Sequence, residues 1–258
     1  MRILYRSLIL ALDSAAVLAG CAGNRQRAIF EPGEGPEAVY EYGVAAMTDG
    51  NFIEALLYFQ ALQARFPFSN ITRQAQLDMI YAFYRNRERE AAIDAAEAFE
   101  RENPTHPRVD YALYMRGLAH FDQMPGWIER MFKVDMTARP PRESMQAFSV
   151  FQELLRRFPD SAYAPDARER MIFLRNRLAA YENHVAEYYL ERQAYVGAIN
   201  RAKYVVEHYP GAPDTERALE ILAEAYETLG MIDLAEDARR VLGETRGELV
   251  SAQQPAAQ

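Results

Sequence analysis

Four times along this 258-residue chain an alanine is followed twelve residues later by a proline: Ala55 and Pro67, Ala92 and Pro104, Ala147 and Pro159, Ala198 and Pro210. Each proline opens a short run of turn formers, PFSN, PTHP, PDSA and PGAP. A proline stops a helix because it cannot donate the next backbone hydrogen bond. A small residue at a constant distance ahead of that stop marks the place where two helices cross closely. The chain is therefore expected to fold as a row of helical hairpins, each ended by its own proline.

The first hairpin, Tyr40 to Pro67, carries the most complete pattern. Gly43 and Ala55 are small at the crossing, Gly50 and Asn51 make the tight turn, Phe59 fills the space between the helices, and Ala46 and Phe52 keep the period. These are the offsets of a tetratricopeptide (TPR) unit, two antiparallel helices in about 34 residues. A fifth unit repeats the pattern at Ala223, Tyr226, Gly230 and Ala235, without a closing proline. Units of this kind bury their faces only against neighbours, so the predicted architecture is an all-α solenoid, five TPR units in one superhelix. Two spacings exceed the period. Pro104 to Pro159 is 55 residues, and the excess matches an insertion at 124–142, bracketed by Pro125-Gly126 and Pro140-Pro141. Pro159 to Pro210 is 51 residues. There Met171, Leu174, Leu178, Tyr181, Val185 and Tyr188 recur at alternating threes and fours, which predicts one long helix over Pro165 to Arg192 that braces the two halves.

Net charge of −8 at pH 7 and dispersed basic residues argue against a nucleic-acid partner, which calls for a basic face. The single cysteine excludes a disulfide framework and any multi-cysteine metal site. Residues 1–20 read as a secretory signal, with Arg2 and Arg6 ahead of an apolar run too short to span a bilayer. Asp13, an acid within that run, departs from the pattern. Leu18-Ala19-Gly20-Cys21 resembles the lipobox of bacterial lipoproteins, which implies a Cys21 bearing N-palmitoyl and S-diacylglycerol groups as the mature N-terminus. Ala22, where an aspartate would favour retention at the inner membrane, points to the outer membrane. Residues 21–36 carry Pro32, Gly33, Gly35 and Pro36 without periodicity and read as a flexible tether. The polar stretch 247–258 reads as a structureless tail. Between them lie 37–123, holding units one and two with the first helix of unit three, then the insertion, then 143–246 with the remainder.

No catalytic constellation can be assembled. His106, His120, His184 and His208 stand apart, and there is no HExxH, no G-x-S-x-G and no nucleotide-binding glycine pattern. Neither an enzymatic activity nor a cofactor or metal is expected. The first helices of units one to three instead concentrate aromatic residues and arginines. Tyr42, Tyr81, Tyr84, Arg85, Tyr111, Tyr114 and Arg116 are the candidate lining of a peptide groove, because rings offer contact area at small entropic cost and arginines hold a carboxylate. Packing between helices accounts for some of these rings.

The segments between repeats are more specific than the repeats. RFPFS (65–69), QLDMIYAFYRN (76–86), NPTHPRVDYALYMRGL (103–118), FKVDMTARPP (132–141) and VAEYYLERQAYVGAINR (185–201) closely resemble the BamD family, TPR lipoproteins of the machine that inserts β-barrels into bacterial outer membranes. The resemblance implies a non-enzymatic scaffold on the periplasmic face of the outer membrane. Its expected partners are a POTRA domain of BamA on the C-terminal units, the lipoproteins BamC and BamE, and unfolded barrel precursors in the N-terminal groove. It also implies that Arg201, with Asn200 and Arg192, contacts BamA; by pattern alone Arg201 is a solvated helix residue. A peptidoglycan-associated TPR lipoprotein would share the anchor and the repeats but not these segments.

Overall fold

The computed structural model describes residues 33–121 and 141–253. The expected signal segment 1–20, Cys21, most of the expected tether, nearly all of the expected insertion and the last five residues lie outside them. Ten helices follow one another among the described residues: α1 (Pro36–Thr48), α2 (Phe52–Arg65), α3 (Asn70–Arg85), α4 (Arg89–Glu102), α5 (Val109–Phe121), α6 (Arg142–Arg157), α7 (Ala164–Glu191), α8 (Tyr195–His208), α9 (Thr215–Thr228) and α10 (Ile232–Gln253). No strand occurs among those residues, so the fold is all-α.

The prolines act as expected. Helices α2, α4, α6 and α8 each end two residues ahead of one, at caps Phe66, Asn103, Phe158 and Tyr209. These caps share one backbone conformation, φ between −134° and −125° and ψ between 50° and 63°. The proline ring clashes with an α-helical residue before it and pushes that residue toward extended backbone. In every case the amide two positions beyond the proline donates back to the cap carbonyl, at 3.0 to 3.2 Å, closing a turn with proline at its second position. Helix α10 carries Gly247 at the place, twelve residues after Ala235, where the other hairpins carry their proline. It runs for 22 residues to Gln253, so the helix carries on through Gly247, where the tail was expected to begin.

The turns inside the hairpins are equally regular. Asn51, Glu88, Ala194 and Met231 each donate their amide to a carbonyl five residues back, at 2.9 to 3.0 Å. The residue before each has positive φ: Gly50 at 78°, Arg87 at 66°, Gln193 at 59° and Gly230 at 74°. This is the Schellman ending of a helix, in which a left-handed residue lets the chain reverse while late carbonyls stay bonded.

The chain divides into two compact units, Met1–Ala75 and Gln76–Gln258. In the first, α1 and α2 cross where Gly43 lies under the ring of Phe59; a Cβ on Gly43 would come within 2.4 Å of that ring. Asn51 caps α2 by accepting the Glu54 amide, and Thr72 donates to the Phe66 carbonyl at 2.6 Å.

In the second unit each helix from α4 onward packs on the next, and α7 also reaches α9. Ala92, Ala147 and Ala198 are fully buried, as Ala55 is in the first unit. Two large apolar clusters result among the described residues, beside a small one at Ala92, Ile93 and Ala119. One gathers Phe99, Leu113, Phe151 and Leu154, the other Ile199, Val205, Ile221 and Leu222, and α7 supplies Ala167 and Leu174 to the former and Leu178, Ala179 and Ala186 to the latter. The long helix is present almost as drawn, Ala164–Glu191. Its buried face differs from the expected stripe, however: beyond Leu178 it follows Glu182, Asn183 and Ala186, while Tyr188 is exposed. A stripe repeating every 3.5 residues drifts by about 20° per heptad around a straight helix of 3.6 residues per turn, which carries Tyr188, two heptads after Leu174, away from the buried side.

Candidate interaction surfaces

The second unit presents an aromatic face built on α3, α5 and the first turns of α7. Tyr114 stacks on Tyr163 at 4.6 Å between ring centroids, and Tyr111 meets the same ring at 5.7 Å. The Arg108 guanidinium lies 5.0 Å from the Tyr111 ring centroid and donates to the Tyr163 hydroxyl at 3.1 Å. The Tyr114 hydroxyl donates to Asp166 at 2.8 Å, and Arg170 donates to the same carboxylate at 2.6 Å. Burial first, and then the bond to Asp166, push the Tyr114 phenol up to about 12. At Asp166 burial acts to raise the pKa, but the bonds from Arg170 and Tyr114 outweigh it and hold the carboxyl below its usual range. Arg170 also covers the ring of Phe121, which meets the half-exposed Phe173.

The expected groove residues separate into four kinds. Tyr84, Tyr111 and Tyr114, like Tyr81, are partly buried and pack against the core. Arg85 lies over Tyr81 and donates to its hydroxyl, leaving a joined cation and ring. Arg116 is engaged elsewhere: its side chain, 14% exposed, pairs with Glu97 and Glu100 at 3.6 Å and with Glu153 at 3.3 Å. Those carboxylates stand on α4 and α6, and Arg157 joins them, so Arg116 ties helices together. Tyr42 belongs to the first unit, where its hydroxyl donates to Glu34 at 2.8 Å and its ring lies 5.6 Å from Tyr58.

A second surface forms where α7 hands over to α8. Tyr189, Gly197, Asn200, Arg201 and Tyr204 line an open depression of about 380 Å³. Gly197 lets the Tyr189 ring lie flat on α8, since a Cβ there would come to 3.1 Å of it. Tyr204 stacks on His208 at 4.0 Å and meets buried Tyr209 edge-on at 5.7 Å. Asn200 is exposed. Arg201, its side chain 44% exposed, donates through Nη1 to Glu182 at 2.9 Å, and the Glu182 side chain is only 8% exposed. Arg192 follows α7 and lies 3.6 Å from the Tyr188 ring centroid. Arg201 and Asn200 thus share one depression, with Arg192 on the adjoining turn.

Sequence reasoning passed over Tyr163, Asp166, Tyr189, Tyr204 and Glu182. One of them left a trace: Glu182 falls four residues after Leu178 and four before Ala186, a carboxylate on the buried face of a helix. Among the described residues no group of His, Cys, Asp and Glu is placed to hold a metal ion, and no helix is long and apolar enough to cross a membrane.

Residues 33–242 match the family model YfiO, described as outer membrane lipoprotein. The outer membrane protein assembly factor BamD of Vibrio cholerae serotype O1 is 37% identical over 231 residues, covering 90% of this chain and 95% of that one. BamD of Neisseria meningitidis serogroup A is 40% identical over 206 residues, covering 80% and 77%. A crystal structure of MamA protein is a more distant likeness, 16% identical at a TM-score of 0.39 over 86% of this chain and 98% of that one, too slight to bear on function. On the match from α1 into α10 and at this identity to curated relatives, the chain belongs to the YfiO family of outer membrane lipoproteins, that of the BamD assembly factors.

Proposed function

We propose that this chain is a non-enzymatic scaffold for outer-membrane β-barrel assembly, tethered by lipid on Cys21. In this reading the α7–α8 surface holds a POTRA domain of BamA, the array also carries BamC and BamE, and barrel precursors meet the aromatic first helices. The observation that supports it most is Arg201: an exposed guanidinium at the rim of a depression walled by Tyr189 and Tyr204. Arginine and tyrosine anchors of this kind dominate protein interfaces, and the planar fork of arginine suits a partner carboxylate.

The test is capture of purified BamA POTRA domains by the chain carrying Cys21→Ser. Replacing Arg201 alone would strand the buried Glu182 charge, which is destabilising in its own right, and capture read without a thermal melt would not separate that from lost binding. The informative variant is therefore Glu182→Gln with Arg201→Ala. Loss of one side of such a contact typically costs about 2 to 5 kcal/mol, so capture should fall at least tenfold while helicity by circular dichroism is unchanged. Capture equal to wild type would refute the assignment of BamA to this surface.

A further inference from the structure

The α7–α8 surface contains one feature that interface chemistry alone does not explain. Glu182 is a carboxylate on the buried face of a helix, and it pairs with Arg201, whose side chain is partly in solvent. A buried carboxylate is retained only where a partner compensates it. Here the two ends of the pair lie in different surroundings, one in the core between α7 and α8 and the other on the surface.

Geometry gives this asymmetry a use. Glu182 takes one donor, Nη1, at 2.9 Å, and a guanidinium has five. Arg201 also lines the depression, with Asn200 and the two tyrosines, so donors beyond Nη1 are available to a partner there. The neighbouring rings are fixed as well, Tyr189 by its seat on Gly197 and Tyr204 by the His208 and Tyr209 rings. An unrestrained arginine loses much side-chain entropy when a partner immobilises it, whereas a guanidinium already held does not.

We propose that Glu182 is a positioning residue of this surface: from inside the core it holds Arg201 in the orientation that a partner protein engages. The proposal rests on the reading that BamA binds here. It predicts that charge at position 182 changes affinity only through Arg201.

The experiment is a double-mutant cycle on the intact soluble chain, read by POTRA-domain titration calorimetry with a thermal melt of every variant. The variants are Glu182→Gln, Arg201→Met and the pair. Glu182→Gln keeps an oxygen able to accept the Nη1 bond but removes the charge, and should weaken binding by about tenfold, within the range of coupling between contacting residues. Arg201→Met should weaken it at least as much, and adding Glu182→Gln to Arg201→Met should cause no further loss. Glu182→Asp, which keeps the charge and withdraws it by one methylene, should fall between wild type and Glu182→Gln. A merely structural Glu182 would lower the melting temperature without this dependence on Arg201. Wild-type affinity in Glu182→Gln, or an equal further loss on the Arg201→Met background, overturns the proposal. Wild-type affinity in the Arg201→Met and double variants overturns instead the placement of BamA on this surface.

Discussion

At Gly117 the backbone of α5 lies so near α6 that a Cβ would come within 2.4 Å of the Phe151 ring, as close as a Cβ on Gly43 would come to Phe59. Glycine and phenylalanine are thus two halves of one packing decision. Counted from the left-handed turn residue, the same two places in α3 and α4 hold Ile80 and Ala96, and in α7 and α8 they hold Ala186 and Ala202, all buried. Where the second helix gives up its ring, the first takes a side chain or both remain small. Gly117→Ala should accordingly destabilise the second unit by about 1 to 3 kcal/mol, the usual cost of overpacking. Adding Phe151→Leu should leave a total loss smaller than the sum of the single losses, because the two residues share one space. Urea denaturation of the four proteins checks this, and strict additivity would show that the ring and the glycine are independent.

Eight of the ten described helices end by a local rule carried by the residues just beyond them. Proline stops α2, α4, α6 and α8, and a left-handed residue ends α1, α3, α7 and α9. At two of those four turns the left-handed residue is not glycine: Arg87 has φ of 66° and Gln193 of 59°. That conformation costs a residue with a Cβ about 1 to 2 kcal/mol, offset in part because glycine is freer in the unfolded chain. Gln193→Gly should therefore stabilise the α7–α8 hairpin by up to about 1 kcal/mol, raising the urea midpoint, while Gln193→Ala should not. The turns at Gly50 and Gly230 are easily found from sequence, since glycine announces positive φ. The turn at Gln193 is found only by counting from the repeat, because nothing in a glutamine signals a left-handed backbone.

On the scale of the whole molecule the question is what holds an acidic chain at a membrane. Among the described residues no helix can cross a bilayer, and a net charge of −8 offers no attraction to anionic lipid. Covalent acyl chains would supply the anchor, at about 0.8 kcal/mol per buried CH₂ group, so that several chains on one residue hold durably. Cells expressing the chain and fed radioactive palmitate should therefore yield a labelled protein, and Cys21→Ser should yield an unlabelled one. Equal labelling of both would remove Cys21 from the reading.

The amino-acid sequence by itself determined the class of fold, the ends of most helices and the long α7. These follow from short-range chemistry: proline without an amide proton, glycine with positive φ, small residues spaced at a constant interval. Family membership was legible as well, in the segments between the repeats. What only the tertiary structure decided is which side chains share a neighbourhood across helices distant in sequence. Arg116 was expected in a peptide groove, and three carboxylates on α4 and α6 engage it instead. Arg201 read as an ordinary solvated arginine, and its buried partner Glu182 lies nineteen residues away on another helix. Local sequence sets where a helix begins and ends, but the rotation of each helix about its axis is settled by packing. That rotation decides whether a given arginine meets solvent, a carboxylate or a partner.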